Sequence, residues 1–237
     1  MLQACLNGNR QPGSVPGLPV TPEELAREAK AARAAGADEL HIHPRGPDGA
    51  ESLSPRDIAA ALTAVRAAVP GMAVGVSTGD WIAPGGRARQ EELRAWEVLP
   101  DYVSVNLAEP DADEVIALML ARGIGVEAGL ASRADARRFL GLPGAGRALR
   151  VLIEMEADPA PAAAEAAAIL TLLDEGPALP VLLHGEGPSL WPLVEMAARL
   201  GLDTRVGLED GLLLPDGRPA PGNAAMVRAA RQVLARP

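Results

Sequence analysis

Two histidines one residue apart, His41-Ile42-His43, are the part of this sequence best suited to chemistry. Side chains on a strand alternate between faces, so both imidazoles point to one side and Ile42 to the other. Two imidazoles on one face suit a divalent metal, and zinc commonly takes two histidines and a carboxylate while leaving a position open for substrate. The same residues also read as a hydrogen-bonded histidine pair lining a barrel. A second cluster is Arg205-Val206-Gly207-Leu208-Glu209-Asp210. Arg205 and Glu209 are four apart and share a face on a regular strand. Arginine grips carboxylates bidentately, and Asp210 beside it reads as a base or as the arginine's structural partner. Ser77-Thr78-Gly79 offers hydroxyls for binding or proton relay, or simply a strand-ending turn. Asn7, Ser104 and Asn106 are further candidates to touch a substrate, and Glu127, Glu154, His184 and Glu186 are polar residues without an assigned role.

The elements that must position these residues alternate regularly. Strand-like runs are predicted at 3–6, 39–43, 73–77, 102–106, 125–128, 149–154, 180–184 and 204–208. Helical patterns lie between them, near 22–35, 55–68, 88–97, 111–122, 132–140, 160–174, 189–200 and 222–235. Thr21-Pro22-Glu23-Glu24 is a helix start with an N-cap, a proline at the first position and acids against the dipole, and Ser54-Pro55 repeats the design. Gly36, Gly123 and Gly201 stand where helices should stop. Such strand–helix repeats imply a parallel sheet, and eight of them predict a (β/α)8 TIM barrel spanning residues 1–237 as a single domain. The candidate residues fall at the strand C-termini, where barrel active sites sit. In a closed barrel the last strand neighbours the first and second, which makes Glu209 the candidate third ligand beside His41 and His43.

Composition narrows the function. A net charge of −9 with no basic run argues against nucleic acid. No apolar stretch approaches a membrane span, and the single Cys5 points to a reduced, cytoplasmic setting. Lys30 is the only lysine and lies on a solvated helix face between Arg27 and Arg33, which argues against Schiff-base chemistry. A Glu127/Glu154 glycosidase pair is rejected because three Trp, one Tyr and one Phe are too few to build a sugar-stacking cleft.

In order along the chain, Ala4-Cys5-Leu6-Asn7-Gly8, Leu18-Pro19-Val20-Thr21-Pro22-Glu23-Glu24, His41-Ile42-His43-Pro44-Arg45, Val76-Ser77-Thr78-Gly79 and Arg205-Val206-Gly207-Leu208-Glu209-Asp210 resemble the motifs of the β-keto acid cleavage enzymes. The type member of that family cleaves 3-keto-5-aminohexanoate. The resemblance implies a zinc-dependent, Claisen-type exchange in which a β-keto acid and acetyl-CoA give acetoacetate and a new CoA thioester. It implies one zinc per chain on His41, His43 and Glu209, with Arg205 and Asp210 as the catalytic pair. It also implies a proton-handling, substrate-binding Ser77, with Ser104 where relatives usually carry threonine, and a homo-oligomer. Departures are a compact passage after Asn106, strand 6 ending Glu154-Met155-Glu156, and strand 7 ending His184-Gly185-Glu186-Gly187. Asn7 stands where the type member has the acid that meets the substrate's amino group, which argues against a 5-amino substrate. Two other readings are an amidohydrolase-like metal hydrolase, disfavoured because its H-x-H lies on strand 1, and a barrel that binds a metabolite without turnover.

Overall fold

The computed structural model describes residues 1–82, 85–156 and 158–235. The strands are β1 (Leu2–Cys5), β2 (Glu39–Ile42), β3 (Ala73–Ser77), β4 (Tyr102–Asn106), β5 (Gly125–Leu130), β6 (Arg150–Met155), β7 (Val181–Gly185) and β8 (Thr204–Val206). The helices are α1 (Pro22–Ala35), α2 (Pro55–Ala68), α3 (Arg87–Ala95), α4 (Ala112–Ala121), α5 (Arg133–Leu140), α6 (Pro159–Leu173), α7 (Leu190–Leu200) and α8 (Asn223–Leu234). All ladders are parallel, in the order β7-β6-β5-β4-β3-β2-β1-β8. A single Leu182–Asp203 bridge spans the remaining seam, where Leu183 N–H donates to the Asp203 carbonyl at 2.9 Å. The result is a nearly closed (β/α)8 barrel, as the alternating pattern predicts.

Local chemistry explains the element ends. Thr21 and Glu24 form a reciprocal capping box at the start of α1, and Gly36 closes that helix in a left-handed conformation at φ 109°. Ser54 caps α2 through the Asp57 N–H. Strand β8 ends at Val206 rather than running to 208, because the chain turns at once: Asp210 N–H returns to the Gly207 carbonyl at 3.1 Å. Strand β5 instead runs on to Leu130, two residues beyond its predicted end.

Outward-facing strand residues such as Leu2, Ala4, Leu40, Ile42, Val74 and Val76 join Leu25, Ile58, Leu62 and Val65 of the helices in one apolar core. The inward set is polar. Near the N-terminal mouth, the Gln3 amide donates to Tyr102 Oη and Glu127 Oε1, both at 2.9 Å. Arg150 joins Glu127 to Glu39. This buried layer plugs the bottom of the barrel, so Glu127 lies below the site while Glu154 lines the pocket above it. Lys30 is exposed on α1. Among the described residues, no helix is long and apolar enough to cross a membrane.

Candidate metal centre and its pocket

His41 ends the inward face of β2, and His43 follows it just past the strand. The β1–β2 register pairs Cys5 with His41, and β1–β8 pairs Ala4 with Val206, which carries the chain after β8 over the same mouth. Gly207 makes that approach feasible: a Cβ there would lie 1.7 Å from the Cys5 carbonyl oxygen. Gly8, in the left-handed region at φ +57°, leaves the space that the Glu209 side chain occupies. Glu209 Oε1 consequently lies 3.8 Å from His41 Nε2 and 3.5 Å from His43 Nε2, and the two Nε2 atoms are 3.0 Å apart.

These three donors fit a divalent cation. Tetrahedral zinc with nitrogens at 2.0–2.1 Å separates its ligand atoms by about 3.3 Å, inside the spread seen here. Glu209 Oε2 is buried and has no hydrogen-bond partner, a costly arrangement that a cation would relieve. Charge points the same way. The guanidinium Nη2 of Arg205 lies 3.1 Å from Glu154, 2.9 Å from Glu209 and 2.8 Å from Asp210, so one cation faces three carboxylates. A divalent ion would balance the surplus.

The titrations express this crowding. Burial drops His41 to about 3 despite Glu209 nearby. Burial opposes charge on His43 as well, but Glu209 and Glu51 on either side raise it to about 9. Against burial, Arg205 and His43 hold Glu209 well below the usual carboxylate range. Arg205 and His184 likewise outweigh burial and lower Glu154 to about 2. Burial raises Asp210 to about 6 even beside Arg205. Glu186 rises to about 8 through burial and the charges of Glu154 and Asp210.

The pocket above the cluster is lined by His41, His43, Ser77, Ser104, Asn106, Glu154, Glu186, Arg205 and Glu209 among others. Not every residue proposed from sequence reaches it. Asn7 is buried outside the pocket, with its Oδ1 accepting from His43 N–H at 2.9 Å and its Nδ2 donating to the His43 carbonyl at 2.8 Å. It holds the backbone of His43. Thr78 donates its hydroxyl to the Ser104 carbonyl at 2.7 Å and faces away from the cavity. Ser77 Oγ accepts from Gly79 N–H at 3.2 Å and still lines the wall. Asn106 sits against Gly129, where a Cβ would meet its Oδ1 at 2.5 Å. His184 is fully buried, 2.9 Å from Glu154 and 3.3 Å from Arg205 Nε. The H-x-H pair lies at the C-terminal end of the second strand, and β5 and β6 carry no histidine, unlike the amidohydrolase arrangement.

Two residues that sequence reasoning passed over are Glu51, 2.5 Å from His43 Nδ1, and Trp81 in the pocket mouth. Neither belongs to a periodic pattern. The one available signal was a tryptophan two residues after the Ser77-Thr78-Gly79 turn in a chain with three Trp, one Tyr and one Phe.

Comparison with known proteins adds the following. A family model described as beta-keto acid cleavage enzyme matches residues 1–140 and 145–236. A 3-keto-5-aminohexanoate cleavage enzyme from Acetoanaerobium sticklandii is 33% identical over 91 residues, a stretch covering 38% of this chain and 32% of that enzyme. A 3-oxoadipate:acetyl-CoA acetyltransferase from Cupriavidus necator is 28% identical over 96% of this chain and 87% of its own length. Among solved structures, ObcA in ternary complex with a C4-CoA adduct and oxalate superposes with a TM-score of 0.72 at 22% identity, over 92% of this chain and 63% of that one. That likeness is one of fold.

Proposed function

The chain belongs to the β-keto acid cleavage enzyme family, and from that premise we propose that it is a zinc-dependent enzyme exchanging a β-keto acid with acetyl-CoA to give acetoacetate and a new acyl-CoA. The observation that carries this reading is the buried convergence of His41, His43 and Glu209 beside Arg205 in one pocket. The acetyl-CoA co-substrate draws support from the similarity to the Cupriavidus necator acetyltransferase along almost the whole chain.

Zinc on His41, His43 and Glu209 supplies a Lewis acid for the β-keto carbonyl. The remaining work falls to side chains. Arg205 uses Nε and Nη2 for its internal carboxylates, and its Nη1 has no hydrogen bond to a described residue. That free N–H is the donor for the substrate carboxylate, which in any β-keto acid lies a few bonds from the ketone. Asp210 is fully buried, and its Oδ2 has no partner. Arg205 holds its Oδ1, so with the carboxyl raised to about 6 the unpartnered Oδ2 is the atom suited to accept a proton, and Asp210 promotes the attack of acetyl-CoA. The Ser77 hydroxyl handles protons at the wall, while Ser104 and Asn106 orient the substrate on the adjoining strand. Asn7 and Thr78 serve from behind, by fixing His43 and the Ser104 backbone.

The test is a panel of β-keto acids incubated with acetyl-CoA and the zinc-loaded protein, with acetoacetate and acyl-CoA followed by mass spectrometry. Zinc-dependent formation of both products is expected. Substrate binding without either product would overturn the assignment in favour of a non-catalytic binding barrel.

A further inference from the structure

The two histidines are supported unequally on their outer sides. His43 Nδ1 meets Glu51 Oε1 at 2.5 Å, whereas His41 Nδ1 is buried without a hydrogen-bond partner. Glu51 lies on the loop after β2, where an antiparallel bridge to Arg45 fixes its backbone. Its other oxygen, Oε2, accepts from Trp81 Nε1 at 3.1 Å. Trp81 lines the mouth of the same pocket and is 51% exposed. Its indole packs against Gly79, where a Cβ would come within 2.4 Å of the ring. A large aromatic held half in solvent by a hydrogen bond and a tailored glycine is not explained by core packing.

We propose that Glu51 is the positioning residue of the metal centre and Trp81 its clamp, an inference that rests on the zinc reading above. A carboxylate that accepts from Nδ1–H fixes the tautomer of His43, so that the Nε2 lone pair faces His41 and Glu209, and it strengthens that nitrogen as a donor. Trp81 holds the second oxygen and stops Glu51 from turning away into the pocket. The chemistry requires a carboxylate. Glutamine accepts at one atom only, so its NH2 group must confront either the His43 N–H or the indole N–H. One carboxylate thereby connects the floor of the pocket to its mouth, and the Trp81 environment follows the state of the metal site.

The experiment measures zinc affinity by competition with a chromophoric chelator for wild type, Glu51→Ala, Glu51→Gln and Trp81→Phe, alongside metal-free melting temperatures and zinc-dependent tryptophan emission. Glu51→Ala is expected to bind zinc about 10–100-fold more weakly, with Glu51→Gln in between, and to lower metal-free melting modestly because the His43 partner is lost. Trp81→Phe keeps a ring but loses the N–H, and should weaken binding roughly two- to ten-fold while abolishing the zinc-induced emission change. If Glu51→Ala fails to fold, the isosteric glutamine variant decides by the same affinities. Wild type with one zinc per chain and unchanged affinity in the Glu51 variants would overturn this inference and leave the zinc reading standing. A wild type that takes up no zinc would overturn both.

Discussion

His41 and His43 present their Nε2 atoms to each other at 3.0 Å, close enough to share a proton that a metal ion bound by both nitrogens would have to displace. In the metal-free protein the proton belongs to His43, raised to about 9, while His41 at about 3 stays neutral. Glu209 is ionised throughout. Metal uptake at pH 7 must therefore displace close to one proton, and affinity should rise about tenfold per pH unit until it levels above pH 9. Calorimetric titration with zinc in two buffers of different ionisation enthalpy measures the count. Uptake with no proton release would contradict the facing arrangement. The linkage for folding has the opposite sign. The raised His43 contributes metal-free stability that is fully present below its ordinary 6.5 and is lost as pH rises through about 9.

Removing a ligand should remove the metal and the activity together. His41→Ala and Glu209→Gln each leave two protein donors, and Glu209→Gln also deletes the anionic one. Elemental analysis of the purified variants should show zinc far below one per chain, and turnover of any active β-keto acid should fall with it. A variant that is active and free of metal would refute the ligand assignment.

Arg205 needs a gentler substitution than alanine. It is fully enclosed and faces Glu154, Glu209 and Asp210 at 2.8–3.1 Å, so its loss leaves buried carboxylates uncompensated. Breaking such a cluster costs about 3–5 kcal/mol. Arg205→Ala is expected to lower the melting temperature and obscure any kinetic effect. Arg205→Lys retains the charge but not the planar fork. It should keep zinc and fold, with kcat/KM lowered roughly a hundredfold or more, the scale of a lost charged hydrogen bond in the transition state. Unchanged kinetics would remove Arg205 from substrate binding.

The legible parts of this protein were those governed by period and closure. A two-residue strand repeat was enough to put His41 and His43 on one side, and eight repeats were enough to bring Glu209 across to them. Helix caps at Thr21 and Ser54 were equally readable, since capping depends on neighbouring residues alone. What failed to show was the destination of individual polar atoms. Asn7 and Thr78 have the right type and lie at strand ends, yet both turn to neighbouring backbone. Glu51 and Trp81 come from different loops, and only the folded barrel brings them to the same carboxylate contact. The polar floor of Gln3, Glu39, Tyr102, Glu127 and Arg150 was hidden for a similar reason: a barrel lumen can bury charges that a single strand's pattern marks as solvent-facing.

Gly207 tests whether close backbone approach positions Glu209 against the two histidines. Its φ lies outside the left-handed region, so alanine is compatible with its backbone, but the added Cβ would stand 1.7 Å from the Cys5 carbonyl oxygen. Both colliding groups are held by main chain, so the turn carrying Glu209 and Asp210 must move away from β1. Overpacking of this kind costs about 1–3 kcal/mol or more. Gly207→Ala is expected to reduce stability in a urea titration and to weaken zinc binding together, because the same shift withdraws Glu209 from the histidines. Gly146→Ala is the control, since its new Cβ meets only Pro177 at an ordinary 3.5 Å. If Gly207→Ala lost stability while its zinc affinity stayed at the wild-type value, the Glu209 ligand would not depend on this approach.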